Sequence, residues 1–168
     1  VDGKTHVSDQ VTIWRWRTAF QNEFAARMDW TIKAFAEANH NPVVTVNGKD
    51  RGAPILIDAQ VGQPVTLDAA ASIDPDGHKL SYQWFHYEEA GFAPGVNMGA
   101  VTIEQGNTAK AIVTPTATCR PAWLGGARAC PNGIAHIILA VADNGSPALT
   151  SYRRVIMNIR TPGSGPRQ

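Results

Sequence analysis

The chain has 168 residues, 43% of them hydrophobic and 17% charged, with a formal net charge of +1. That length fits one domain with a sizeable core. The near-neutral balance and scattered basic residues give no electrostatic case for nucleic acid. No apolar run reaches the ~18 residues of a membrane helix, so neither nucleic acid nor membrane is an expected partner.

Residues 1–13 are polar and aperiodic until Val11 and Ile13, and read as a connecting arm. The abrupt start at Val1 reads as the cut edge of a larger polypeptide. Trp14 and Trp16 then alternate with Arg15 and Arg17, which projects both indoles to one side of an extended segment. Thr18 and Gln21 have capping-box spacing, so a helix is predicted from about Ala19 to Ala38. Phe20, Phe24, Met28, Ile32 and Phe35 form its apolar stripe, widened by Trp30 and Ala34. Asn39-His-Asn-Pro42 ends it, because the residue before proline avoids the α region.

From Val43 the pattern changes to short strands divided by turn residues. Strands are predicted at 43–46, 55–59, 65–69, 80–87, 100–104, 109–114, 134–142 and 149–159. Asp74-Pro-Asp-Gly77 is a turn with proline presetting φ and glycine supplying φ > 0. After it, Leu80, Tyr82, Trp84 and His86 alternate with Ser81, Gln83, Phe85 and Tyr87. A Trp on such a strand is the core pin of an immunoglobulin-like sandwich. The apolar run 134–142 reads as a central strand, and Asp143-Asn-Gly-Ser-Pro147 as a hairpin connection whose sequon needs no sugar to explain it. Cys119 and Cys130 bracket a loop containing Pro121 and two glycines, so a local disulfide is expected. An oxidising compartment follows, periplasmic or extracellular.

Ser72-Ile-Asp-Pro-Asp-Gly with Leu80-Ser-Tyr-Gln-Trp resembles the PKD branch of immunoglobulin-like modules. Trp14-Arg-Trp-Arg17, Phe20-Gln-Asn-Glu-Phe-Ala-Ala-Arg-Met-Asp-Trp30 and Ala38-Asn-His-Asn-Pro42 narrow the likeness. Together, over roughly residues 10 to 160, they resemble the C-terminal region of bacterial secreted cellulose-binding proteins whose larger N-terminal part is nucleoside-hydrolase-like. The expected fold is therefore all-β, an immunoglobulin/PKD-like sandwich preceded by one long amphipathic helix. The expected division is an arm and helix over 1–40 (a joint to an upstream domain), a sandwich over 41–161 and a flexible tail over 162–168.

The residues make a poor catalytic set, so the chain is expected not to be an enzyme. Glu88 and Glu89 would face opposite sides of a strand, and Glu23 and Asp29 lie on poorly matched helix faces. The five histidines share no ligand spacing among themselves, and no phosphate loop occurs. For metal, the PKD resemblance implies Ca²⁺ held by Asn41, Asp74, Asp76 and Asp143. The competing account has Asp74 and Asp76 hydrogen-bonding only their own turn.

For polysaccharide, the candidates are Trp123, Trp14, Trp16, Tyr87 and Phe92, since aromatic faces stack on pyranose rings. Trp84 is expected in the core, and Trp30 in the core or an interface. Trp14 and Trp16 have a rival role, pinning the chain to an upstream domain with Arg15 and Arg17 pairing across the joint. Trp123, inside the disulfide loop, is either a sugar platform or a cover over the bridge. The resemblance implies a non-catalytic carbohydrate-binding accessory module. The alternative is a ligand-free module bracing an upstream nucleoside-hydrolase-like domain of the same polypeptide. A sugar module predicts exposed rings along a groove; a brace predicts a contiguous apolar patch around Trp14, Trp16 and the helix.

Overall fold

The computed structural model describes residues 7, 8, 10–50, 53–91, 97–119 and 130–163. Among the described residues seven strands form two sheets: β1 (Ile55–Gln60), β2 (Val65–Asp68), β3 (Ser81–His86), β4 (Ala100–Glu104), β5 (Lys110–Ala117), β6 (Asn132–Ala142) and β7 (Thr150–Arg160). One sheet has the order β1-β7-β6-β3 and the other β2-β5-β4. All pairs are antiparallel except β1 with β7. This is an immunoglobulin-like sandwich, with β3 in the position of the Trp-bearing strand.

The alternation in sequence explains the core. Ile137, Leu139 and Val141 on β6 face inward with Val155, Met157 and Ile159 on β7, against Leu67 and Val113 of the other sheet. Trp84 is 4% exposed, and its indole N–H donates to the Thr108 carbonyl at 3.0 Å. That bond satisfies the one polar atom that the ring would otherwise bury unpaired. Val43–Val46 does not form a strand: Val43 bridges Ile73 and Val46 bridges Lys49 as isolated pairs.

β6 is buried on both faces through its middle, because His136 and Ile138 on its outer side are covered as well. The 3-10 turn Glu88–Gly91 packs against β6, and the N-terminal segment reaches the side of Ile138 through Trp16, Ala19 and Phe20. That segment folds as α1 (Val11–Trp14) and α2 (Arg17–Ile32), followed by a 3-10 turn at Phe35–Glu37. The helix is shorter than predicted, since Lys33 is already extended (ψ 149°). Thr18 does not cap it: α2 starts at Arg17, and Trp16, its N-cap, makes no side-chain capping bond. α1 lies just ahead and carries the chain into α2, so the expected extended Trp-Arg-Trp-Arg segment is helical.

The apolar stripe also faces the other way. Phe20, Phe24, Met28, Ile32 and Phe35 are 49%, 64%, 48%, 82% and 71% exposed, whereas Ala26 is the buried residue of α2. A neighbouring stripe seats the helix. Asn22 donates to the Ala148 carbonyl at 2.8 Å, Glu23 accepts from Asn41 at 2.8 Å, and the Trp30 indole donates to the Asn39 carbonyl at 2.7 Å.

Candidate functional site

The outer face of the β3-β6-β7 sheet carries Phe85 opposite Ile138, and Tyr152 diagonal to Ile138 in the next outward row, opposite Ala140, with Tyr87 just past β3. Trp16 sits on this face. Its ring centroid lies 5.3 Å from Tyr152 and 5.9 Å from Tyr87, both edge-on, and 6.0 Å from Phe85. Edge-to-face packing at these distances is the favoured aromatic geometry.

Between these rings and α2 runs an open cleft of about 480 Å³. Trp16, Phe20, Tyr87 and Tyr152 supply its aromatic walls, and Glu23 and Asn41 its polar edge. Glu23 is held in place from both sides, by the Asn41 amide at one oxygen and Arg27 at the other (2.6 Å). Burial raises the Tyr152 phenol above its ordinary value, so it stays a neutral hydroxyl. Beside the cleft, Arg15 pairs with Glu89 at 2.9 Å and lies over the Tyr87 ring.

The residues expected to act in sugar or interface roles therefore part company. Trp16 and Tyr87 meet in the cleft. Trp14 is 49% exposed on the short helix ahead of it. Arg15 pairs within this chain. Trp123 and Phe92 lie outside the described residues. Sequence reasoning missed Tyr152 and Glu23 as cleft residues. The signal for Tyr152 was its parity: on β7 it alternates out of phase with Val155 and Met157, which puts an aromatic on the outer face.

The residues expected to hold calcium are also divided. Asn41 turns its amide to Glu23. Asp143 is buried and committed, with Oδ1 accepting from the Gly145 and Leu149 amides and Oδ2 from Asn39. Asp74 and Asp76 do come together, and His78 joins them. Asp74 Oδ2 is buried without a hydrogen-bond donor, as is Oδ1 of Asn39, the residue bonded to Asp143. Cys119 and Cys130 form the expected disulfide, with Cα atoms 5.9 Å apart.

Fold and cleft together define an immunoglobulin-like module that carries an aromatic groove under a helical cover. Residues 64–159 match the family described as the C-terminal domain of cellulose-binding protein Sde0182. The chain belongs to that family. Among solved structures, it is 41% identical to a nucleoside hydrolase-related protein from Saccharophagus degradans described as associated with carbohydrate metabolism, with a TM-score of 0.71. The match covers 87% of this chain and 32% of that one, so this chain spans about a third of that relative. The PKD domain of the KIAA 1837 protein is 20% identical over 69% of this chain and 89% of its own, with a TM-score of 0.42. A fragment of human CDH23 (EC21-23) is 16% identical over 70% of this chain and 33% of its own, with a TM-score of 0.40. No protein of curated description matches the chain. No helix among the described residues is long and apolar enough to cross a membrane.

Proposed function

We propose that the chain is a non-catalytic carbohydrate-binding accessory module of a secreted protein, with the aromatic cleft beneath α2 as its saccharide site. The observation that carries this reading is the convergence of Trp16, Tyr87 and Tyr152 on one open cleft edged by Glu23 and Asn41. Pyranose C–H faces pack on aromatic rings, while hydroxyls pair with carboxylate and amide groups. Among the described residues Glu23 is the one carboxylate lining the cleft, whereas glycoside hydrolysis needs a flanking pair. The family's description makes a β-glucan the first ligand to try, and the disulfide suits secretion.

The test is retention on insoluble cellulose and calorimetry with soluble cello-oligosaccharides. Tyr152→Ala and Tyr87→Ala abolish binding while the sandwich stays folded. No binding by the intact chain to any glucan refutes the reading, and loss with Trp123→Ala alone moves the site to the disulfide loop.

The outer face of α2 favours a second role beside this one. Phe24, Met28 and Ile32 follow at i, i+4 spacing and are half-exposed or more, and Ile13, Trp14 and Phe35 are exposed as well. Exposed apolar side chains in this number mark an interaction surface. It suits a further domain of a longer polypeptide, such as the two-thirds of the S. degradans relative that this chain does not cover. Mixing the chain with that remainder produces a complex that Phe24→Ser with Ile32→Ser weakens. An equal affinity in the double variant rejects the bracing role.

A further inference from the structure

The turn leading into β3 holds three ligating side chains that the cleft does not use. Asp74, Asp76 and His78 alternate along the chain, and Gly77 at φ +77° reverses it, so their ligating atoms lie within 4.8 Å of one another. The backbone fixes the first. Asp74 Oδ1 accepts from the Asp76 and His78 amides at 3.0 and 2.9 Å. Its side chain is 1% exposed, and Oδ2 meets no donor. An orphaned buried oxygen of this kind is costly unless a cation or an unseen donor completes it. His78 Nδ1 is also buried without a hydrogen bond, 3.4 Å from Asp74 Oδ1.

Asp76 is supported from behind. His40 donates its amide to Oδ2 at 2.6 Å, and its ring Nδ1 lies 3.0 Å from Oδ1. The His40 ring is itself stacked on Trp30 and on Phe35, with centroids 5.7 and 3.8 Å away. A carboxylate oriented by a clamped imidazole is the kind of outer support that metal ligands use.

We propose that Asp74, Asp76 and His78 form a site for a divalent transition metal of the zinc type, with water completing its coordination. Two carboxylates and a neutral imidazole match a dication in charge, and an imidazole ligand suits zinc and its first-row neighbours, whereas calcium takes oxygens. Bonds of ~2.0–2.2 Å around one centre place ligand atoms roughly 3–4 Å apart, and the 3.4 Å between His78 Nδ1 and Asp74 Oδ1 already lies in that range. The site is independent of the saccharide cleft and stands whether or not sugar binds.

Titrate the whole chain with Zn²⁺ by calorimetry and with Co²⁺ by visible absorption, with circular dichroism confirming that each variant folds. One ion binds per chain, and Co²⁺ develops ligand-field bands. His78→Ala and Asp74→Asn abolish both signals. His40→Phe keeps the stack with Trp30 and Phe35 but removes the nitrogen behind Asp76, and weakens Zn²⁺ by about 10–100-fold. Failure to bind Zn²⁺ or Co²⁺, binding unchanged in His78→Ala, or displacement of Zn²⁺ by equimolar Ca²⁺ overturns the proposal.

Discussion

Trp16→Ala distinguishes a residue that holds α2 on the sandwich from one that waits for an external partner. Trp16 packs against Phe85, Tyr87 and Tyr152, with centroids 5.3–6.0 Å away. Each aromatic pair contributes ~0.5–1.5 kcal/mol beyond its buried area. The three pairs share one partly exposed ring, so the lower part of the summed range applies, about 2 kcal/mol. For a domain of this size that lowers Tm by about 4–8 °C. Trp14→Ala is the control: half-exposed on α1, it shifts stability by no more than about 0.5 kcal/mol. Differential scanning calorimetry reads both, and amide exchange locates the loss, with α2 amides losing protection before those of β6. Equal Tm values for Trp16→Ala and the parent, with α2 protection intact, refute the claim that this indole fastens the helix.

Gly133→Ala places a Cβ against the Thr118 carbonyl group, with the carbonyl carbon at 2.7 Å. Backbone cannot swing aside as a side chain does, so the variant loses more than about 3 kcal/mol and shows it as a collapsed urea midpoint; a midpoint near the parent's counts against the packing described. Reducing Cys119–Cys130, whose loop spans a sequence separation of 11, costs ~2–3 kcal/mol, read as the gap between urea midpoints with and without reductant. His136 is held below its ordinary pKa first by burial, then by the positive charges of Arg154 and His86. Arg154 also donates to its Nδ1 at 2.8 Å, which requires the neutral ring. Because the unfolded chain takes up this proton near pH ~6.5 and the folded one only lower, this contribution is complete above that pH and lost as pH falls toward the depressed folded value. His136→Gln flattens the midpoint-against-pH slope in that window; an unchanged slope denies the linkage.

The strands were readable because alternation and turn chemistry agree along most of the chain. Trp84, Leu139 and Met157 lie where period-2 reasoning puts them, on inward positions of β3, β6 and β7. The segment 43–46 has the same apolar character but makes only isolated bridges, and composition cannot report the lack of a neighbouring strand. The helix misled for a different reason. Phe20, Phe24, Met28 and Ile32 form one stripe, while Ala19, Glu23, Ala26 and Trp30 form another about 150° away around the same axis. The bulkier stripe reads as the core face. The smaller residues sit closer to the sheet, and the polar ones find partners there, Glu23 in Asn41 and Asn22 in the Ala148 carbonyl. His78 was not joined to Asp74 and Asp76 because the histidines were compared only with one another and the acidic turn was read for oxygen donors, although Asp74-x-Asp76-x-His78 alternates carboxylate and imidazole groups around a turn.

The two faces of α2 make the two functional readings separable in one measurement. A saccharide in the cleft touches Trp16, Tyr87 and Tyr152 on the inner side and by mass action stabilises the fold, by ~2.7 kcal/mol at a hundredfold excess over Kd, which raises Tm. A domain seated on Phe24 and Ile32 contacts only the outer side, and those residues are already exposed in the chain alone. Phe24→Ser with Ile32→Ser therefore leaves the sugar-induced Tm shift intact while weakening the domain contact. Tyr152→Ala does the reverse. If the outer substitutions also erase the sugar shift, α2 does not divide the surfaces as its contacts indicate, and the cleft must extend over the helix.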